Sequence, residues 1–169
     1  MLDDPIKYGL LAALAIALLI AAFTDLKSRR IANWLNLAIA LGAPLFWWAS
    51  DMSLWPDIAW QLGTALAVFA VLSVLFAIKA MGGGDVKLLT ALALWIEPLL
   101  YLKFLVMMAL LGGVLTLGIG AYNVMSRRRR KSSDRKPISI PYGVAIALAG
   151  LWTIGTFYLP ANVFAGTAG

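Results

Sequence analysis

The chain contains neither cysteine nor histidine. That removes disulfides, thiolate nucleophiles, Cys/His zinc sites and Ser–His–Asp triads together. The side chains left to titrate are Asp, Glu, Lys, Arg and Tyr, so acid/base chemistry here rests on carboxylates or lysine. Charge is scarce as well. Only 13% of the 169 residues are charged, against 62% hydrophobic, and mean hydropathy is +0.88. A soluble domain of this size could not hide so much apolar surface. The composition therefore predicts an integral membrane protein, a single membrane domain over 1–169 with no room for a soluble domain in its loops. The opening MLDDPIKYG lacks the basic n-region of a secretory signal. Asp4-Pro5 reads instead as an N-cap followed by proline at the first helical position, making the first apolar run a retained helix.

Charged residues cut the sequence into six apolar runs. Helices are expected near 6–24, 31–50, 57–79, 85–100, 104–126 and 141–160. Alternate connections hold 12 of the 14 basic residues: Lys27, Arg29 and Arg30, then Lys79 and Lys87, then Arg127, Arg128, Arg129, Arg130, Lys131, Arg135 and Lys136. Asp3, Asp4, Asp51, Asp57 and Glu97 fall on the other side. The positive-inside rule then puts the basic loops in the cytoplasm and both termini outside. Removing any one helix would scramble this segregation. The expected fold class is an all-α bundle of six transmembrane helices.

Other features fit that frame. Trp47, Trp48, Trp55 and Trp60 cluster around the second loop, as an outer interfacial belt would. The RRRRK run reads as a topology signal in contact with lipid headgroups, not as a nucleic-acid site. Gly112, Thr116 and Gly120, and likewise Gly143 and Ala147, form small-residue stripes that let helices approach closely.

Two carboxylates stand out because membrane depth is hostile to them, at roughly 2.5–3.5 kcal/mol each on insertion scales. Asp25 closes the first apolar run, and Asp85 follows three glycines. The uncharged fourth run, Leu88–Ile96, crosses less than half of a ~30 Å core. The shortfall is met by extending the helix or by dipping the Gly82–Gly84 turn into the bilayer. Either draws Asp85 below the surface, and irregular backbone there survives only beside protein or water. A wet cleft at Asp85 is expected.

Asp25 and Asp85 lie on the same side by topology. If their helices are neighbours, the carboxyls converge and share one proton. The ionised partner can take a proton from water, and the protonated one can polarise a carbonyl and protonate a leaving amine. Aspartic-protease chemistry of this kind requires no metal or cofactor. Gly82, Gly83 and Gly84 permit positive φ and close backbone approach, which would suit an extended substrate adding as a strand. Blander readings stand beside this one. Asp25 can cap a loop or pair with Lys27 or Arg29, and Asp85 can be the N-cap of the fourth helix. GGGDVK lacks the GK[ST] ending of a phosphate loop.

Three stretches carry a resemblance. Asp25 is followed by LKSRR and then Ile31-Ala32-Asn33; Gly82-Gly83-Gly84-Asp85 leads into Val86-Lys87-Leu88; and Pro141–Ala147 reads PYGVAIA. In this order the chain resembles the type IV prepilin peptidases, aspartic proteases of the GxGD kind, and most closely the short, peptidase-only members that serve Flp-type pili. The resemblance implies Asp25 and Asp85 as the catalytic pair. Gly82, Gly83, Gly84, Lys87 and Asn33 are candidate supporting or substrate-binding residues, Lys87 either tuning the pair or only facing lipid headgroups. It implies leader cleavage of a prepilin or pilin-like precursor at the cytoplasmic face of a bacterial inner membrane. Longer relatives carry a cysteine–zinc segment and N-methylate the product. With no cysteine and a short first loop, peptidase activity without methylation is expected here. Ala32 stands where the family usually has proline, which leaves Asn33 less firmly placed. Two other functions compete with this one: a small proton-coupled transporter, whose acids would mark an ion path, and a non-catalytic membrane component of a pilus or secretion assembly.

Overall fold

The computed structural model describes residues 5–129 and 142–159. They are helical, with no strand among them. The six helices are α1 (Pro5–Ser28), α2 (Asn33–Ala49), α3 (Ala59–Ala77), α4 (Gly83–Ala93), α5 (Pro98–Arg129) and α6 (Tyr142–Thr153). A wide turn at Leu54–Ile58 leads into α3, and another at Ile154–Tyr158 extends α6. Three segments are long and apolar enough to cross a membrane: Pro5–Ser28, Leu54–Ala77 and Pro98–Tyr122; Tyr142–Tyr158 is a shorter apolar helix. Asp4, Pro141 and the basic residues from Arg130 to Lys136 lie outside the described residues.

The core follows from helical periodicity. On α1, Leu11, Leu14, Leu18, Ala21 and Asp25 are the buried residues, spaced three and four apart along one stripe. Asp25 thus continues the inward face of its helix. On α3 only Gln61 and Ala65 are buried, and large apolar side chains such as Leu66, Phe69 and Val74 face outward. Such an apolar exterior suits hydrocarbon, not water. α6 meets α1 through small residues: a Cβ on Gly150 would come within 2.7 Å of Leu18 Cδ1. Gly112 of the other stripe faces Ala145.

α4 departs from expectation. It ends at Ala93, not near residue 100. Pro98 is the reason: it disfavours helix at the residue before it and is well suited to the first turn of the next helix. Residues 98–100 therefore begin α5, which starts well before the expected 104. Lys103, a good helix former, lies within α5, and its ammonium sits 5.0 Å from the Phe157 ring centroid. At 11 residues α4 is about 16 Å long, half of a bilayer core. Most of it is shielded by protein: Val86, Leu88, Leu89, Ala91, Leu92 and Ala93 are all buried, while Lys87 is exposed.

Its early end leaves carbonyls at depth, and side chains from three other elements satisfy them. Trp47 Nε1 donates to Leu94 O at 2.8 Å and Gln61 Nε2 to Ile96 O at 2.8 Å, and inside the helix Tyr101 Oη donates to Leu89 O at 2.9 Å. Tyr158 Oη donates to Trp95 O at 3.2 Å and accepts the Glu97 N–H at 2.9 Å. This corrects the expected aromatic belt. Trp48, Trp55 and Trp60 are exposed, but Trp47 is buried with its indole committed to the α4 terminus.

Candidate active site

Asp25 occupies the last turn of α1 and is 7% exposed. Its Oδ2 accepts the Gly143 N–H at 2.8 Å. Gly143 is in the first turn of α6, where backbone N–H groups lack intrahelical partners. Only glycine fits there, since a Cβ would stand 2.8 Å from Asp25 Oδ2 and 3.0 Å from its Cβ.

Asp85 lies in the first turn of α4. The N-cap is Gly82, with φ −73° and ψ 140°, so Asp85 is the third helical residue and not the cap. Its carboxylate turns back over the N-cap: a Cβ on Gly82 would stand 2.9 Å from Asp85 Oδ2. The carboxylate of Asp25 is among the charges that act on Asp85. The two acids therefore sit at the same end of the bundle, carried by separate helices.

The loop between α1 and α2 joins them. A Cβ on Gly84 would lie 3.4 Å from Ile31 Cβ and 3.5 Å from the Ile31 nitrogen. The triple glycine thus serves close approach. No described glycine has a positive φ, which corrects the expectation for Gly82–Gly84. The Gly82 carbonyl accepts the Val86 N–H at 3.1 Å, and Gly83 and Gly84 form the first turn of α4. The left-handed conformations fall elsewhere, on Arg29 (φ 53°), Asp51 (φ 50°) and Lys79 (φ 61°), each one or two residues past a helix end.

A family model described as the type IV leader peptidase family matches residues 12–117, well over half of the chain and a span that contains both aspartates. The chain belongs to that family. It is a leader-peptidase-type protease with apolar helices suited to a membrane. Comparisons with curated proteins and with solved structures give no match.

The remaining leader-peptidase motif residues surround this end of α4. Lys87 Nζ donates to Asn33 Oδ1 at 2.9 Å. Ala32, in the usual proline position, has φ −65° and ψ 136°, the φ that proline would impose. α2 thus starts with the same backbone, and Asn33 is held by Lys87, contrary to the looser placement expected. Sequence reasoning missed Asn36. This buried side chain donates from Nδ2 to Gly84 O at 3.3 Å. The available signal was a polar residue one turn after Asn33 inside an apolar run.

The expected cleft at Asp85 takes the form of an open edge: Gly82 is exposed and Asp85 half-buried. A cavity of about 550 Å³ lies at the opposite end of α4, walled by Phe46, Trp95 and Tyr158 with Gln61, Asp57 and Glu97. Neither aspartate is among its lining residues.

Proposed function

We propose that this chain is a membrane-embedded aspartic endopeptidase that cleaves the leader of type IV, Flp-type prepilins or pilin-like precursors, with Asp25 and Asp85 as the catalytic pair. One observation carries the reading. Two carboxylates from different helices stand at one end of the bundle, Asp25 held by the first turn of α6 and Asp85 in the first turn of α4, where Gly84 packs on Ile31 of the loop that follows Asp25. Brought into contact, two carboxylates hold one proton between them. The ionised carboxylate takes a proton from water as its oxygen attacks the scissile carbonyl. The protonated carboxyl donates to the developing oxyanion. Collapse of the tetrahedral intermediate breaks the C–N bond, and the amine leaves with a proton from the pair. Gly143 orients Asp25, Gly82 leaves room for the Asp85 carboxylate, and Lys87 with Asn33 fixes the start of α4 against α2.

The basic loops support a cytoplasmic location for this end of the molecule, in the inner membrane of a bacterium. Six helices with both termini outside, forming one domain over 1–169, remain the topology in best accord with that charge segregation. α4 then crosses as a short segment enclosed by protein. Absence of cysteine supports peptidase activity without methyl transfer. The lipid bilayer and the precursor are the proposed partners, with no nucleic acid and no cofactor.

The test is cleavage of a precursor in membranes from a strain lacking other such peptidases. Asp25→Asn and Asp85→Asn should each abolish cleavage while insertion and melting persist. Full processing by either variant would overturn the two-aspartate mechanism. Substrate flux in proteoliposomes that Asp85→Asn abolishes would favour transport instead.

A further inference from the structure

The polar contacts between α2 and the start of α4 come from two side chains one turn apart. Asn33 is exposed, and its bond to Lys87 is open to water. Asn36 differs. It is 4% exposed, and its Nδ2 holds the carbonyl of Gly84, the residue immediately before Asp85. Its Oδ1 is buried and has no hydrogen-bond partner. Turning the amide over offers no relief, since Oδ1 would then face the Gly84 carbonyl, acceptor against acceptor.

A buried acceptor without a donor works against folding. A leucine here would fill similar space and leave no unsatisfied oxygen. Asn36 is therefore a poor choice for stability, at a position that controls the backbone carrying one proposed catalytic carboxylate. Sites where stability is given up for geometry are sites of function. We propose that Asn36 is a positioning residue for the peptidase reaction: through the Gly84 carbonyl it fixes the first turn of α4, and with it the carboxyl of Asp85, relative to Asp25. The inference rests on the two-aspartate reading above. It differs from a packing role in sign, because removing the amide should leave the fold as stable or more so while slowing catalysis.

The experiment compares Asn36→Leu and Asn36→Asp with the wild-type protein in detergent, measuring kcat, KM and the melting temperature on a purified precursor. Asn36→Asp keeps the shape but replaces the donor with an acceptor, and it serves as the second variant if leucine fails to fold. The expected result is a kcat lower by roughly ten- to a hundredfold, the scale of an ångström-level misplacement. KM should stay within about twofold of wild type, and Asn36→Leu should melt no lower than wild type. A kcat within about twofold of wild type in the folded variants would overturn the proposal, as would a loss of activity matched by a loss of melting temperature in both. Asp25→Asn and Asp85→Asn run alongside. If those variants cleave normally, the two-aspartate reading fails; if they are dead while both Asn36 variants cleave at the wild-type rate, only this inference fails.

Discussion

Gly143→Ala is the sharpest perturbation of the Asp25 anchor. The added methyl would meet Asp25 Oδ2 at 2.8 Å, Cγ at 2.9 Å and Cβ at 3.0 Å. Ordinary contact begins near 3.4 Å, so the gap must open by about 0.4–0.6 Å. Rotating the carboxylate does not suffice, because Asp25 Cβ belongs to the rigid start of the side chain. Either α1 and α6 separate, or Asp25 swings off the Gly143 N–H. The second course forfeits a hydrogen bond to a charged group, worth about 1.5–3 kcal/mol. If that bond orients the carboxylate in the transition state, the same energy lowers kcat by roughly ten- to a hundredfold. Cleavage of a precursor in membranes reads the effect, with Gly155→Ala as control, since a Cβ at Gly155 meets nothing within 4 Å. Gly143→Ala with wild-type kcat and wild-type melting would refute the anchoring role.

Neighbouring glycines separate the site from its scaffold. Gly82→Ala presses a methyl to 2.9 Å from Asp85 Oδ2 and should cut activity sharply, whereas Gly83→Ala meets only the Phe76 ring at 3.1 Å. That ring is 54% exposed and free to move, so cleavage by Gly83→Ala should stay within about twofold of wild type, well inside the tenfold that 1.4 kcal/mol represents. Gly42→Ala acts far from the aspartates. Its Cβ would lie 2.8 Å from Trp95 Cζ2, on a ring stacked against Phe46 and bonded to Ile39 O at 2.7 Å. A lower melting temperature, from a destabilisation of about 1–3 kcal/mol, should appear without a selective loss of kcat.

The sequence made the site more legible than the element boundaries. Asp25 could be located because a single carboxylate at the end of an apolar stripe is conspicuous, and its spacing from Leu11, Leu14, Leu18 and Ala21 fixes its direction. Asp85 was conspicuous for the same reason. The α4/α5 boundary was misjudged because length alone argued for extending α4 to residue 100, when Pro98 was the stronger local signal. Trp47 looked interfacial because position and residue type say nothing of an indole satisfying a carbonyl 47 residues away. Asn36 and the Gly143 N–H escaped notice for a related reason. Both act through backbone groups of distant helices, and backbone groups carry no residue-specific trace in a sequence.

The Asp25–Gly143 bond also orders events during synthesis. The acid emerges from the ribosome 118 residues before its anchor. At about 5–20 residues per second, that is a wait of roughly 6–24 s. A nascent chain lacking the final helix holds both carboxylates but has nothing to aim the first one. On the proposed two-aspartate mechanism, proteolytic competence therefore waits for α6, and a chain threading into the bilayer before then carries an unarmed blade.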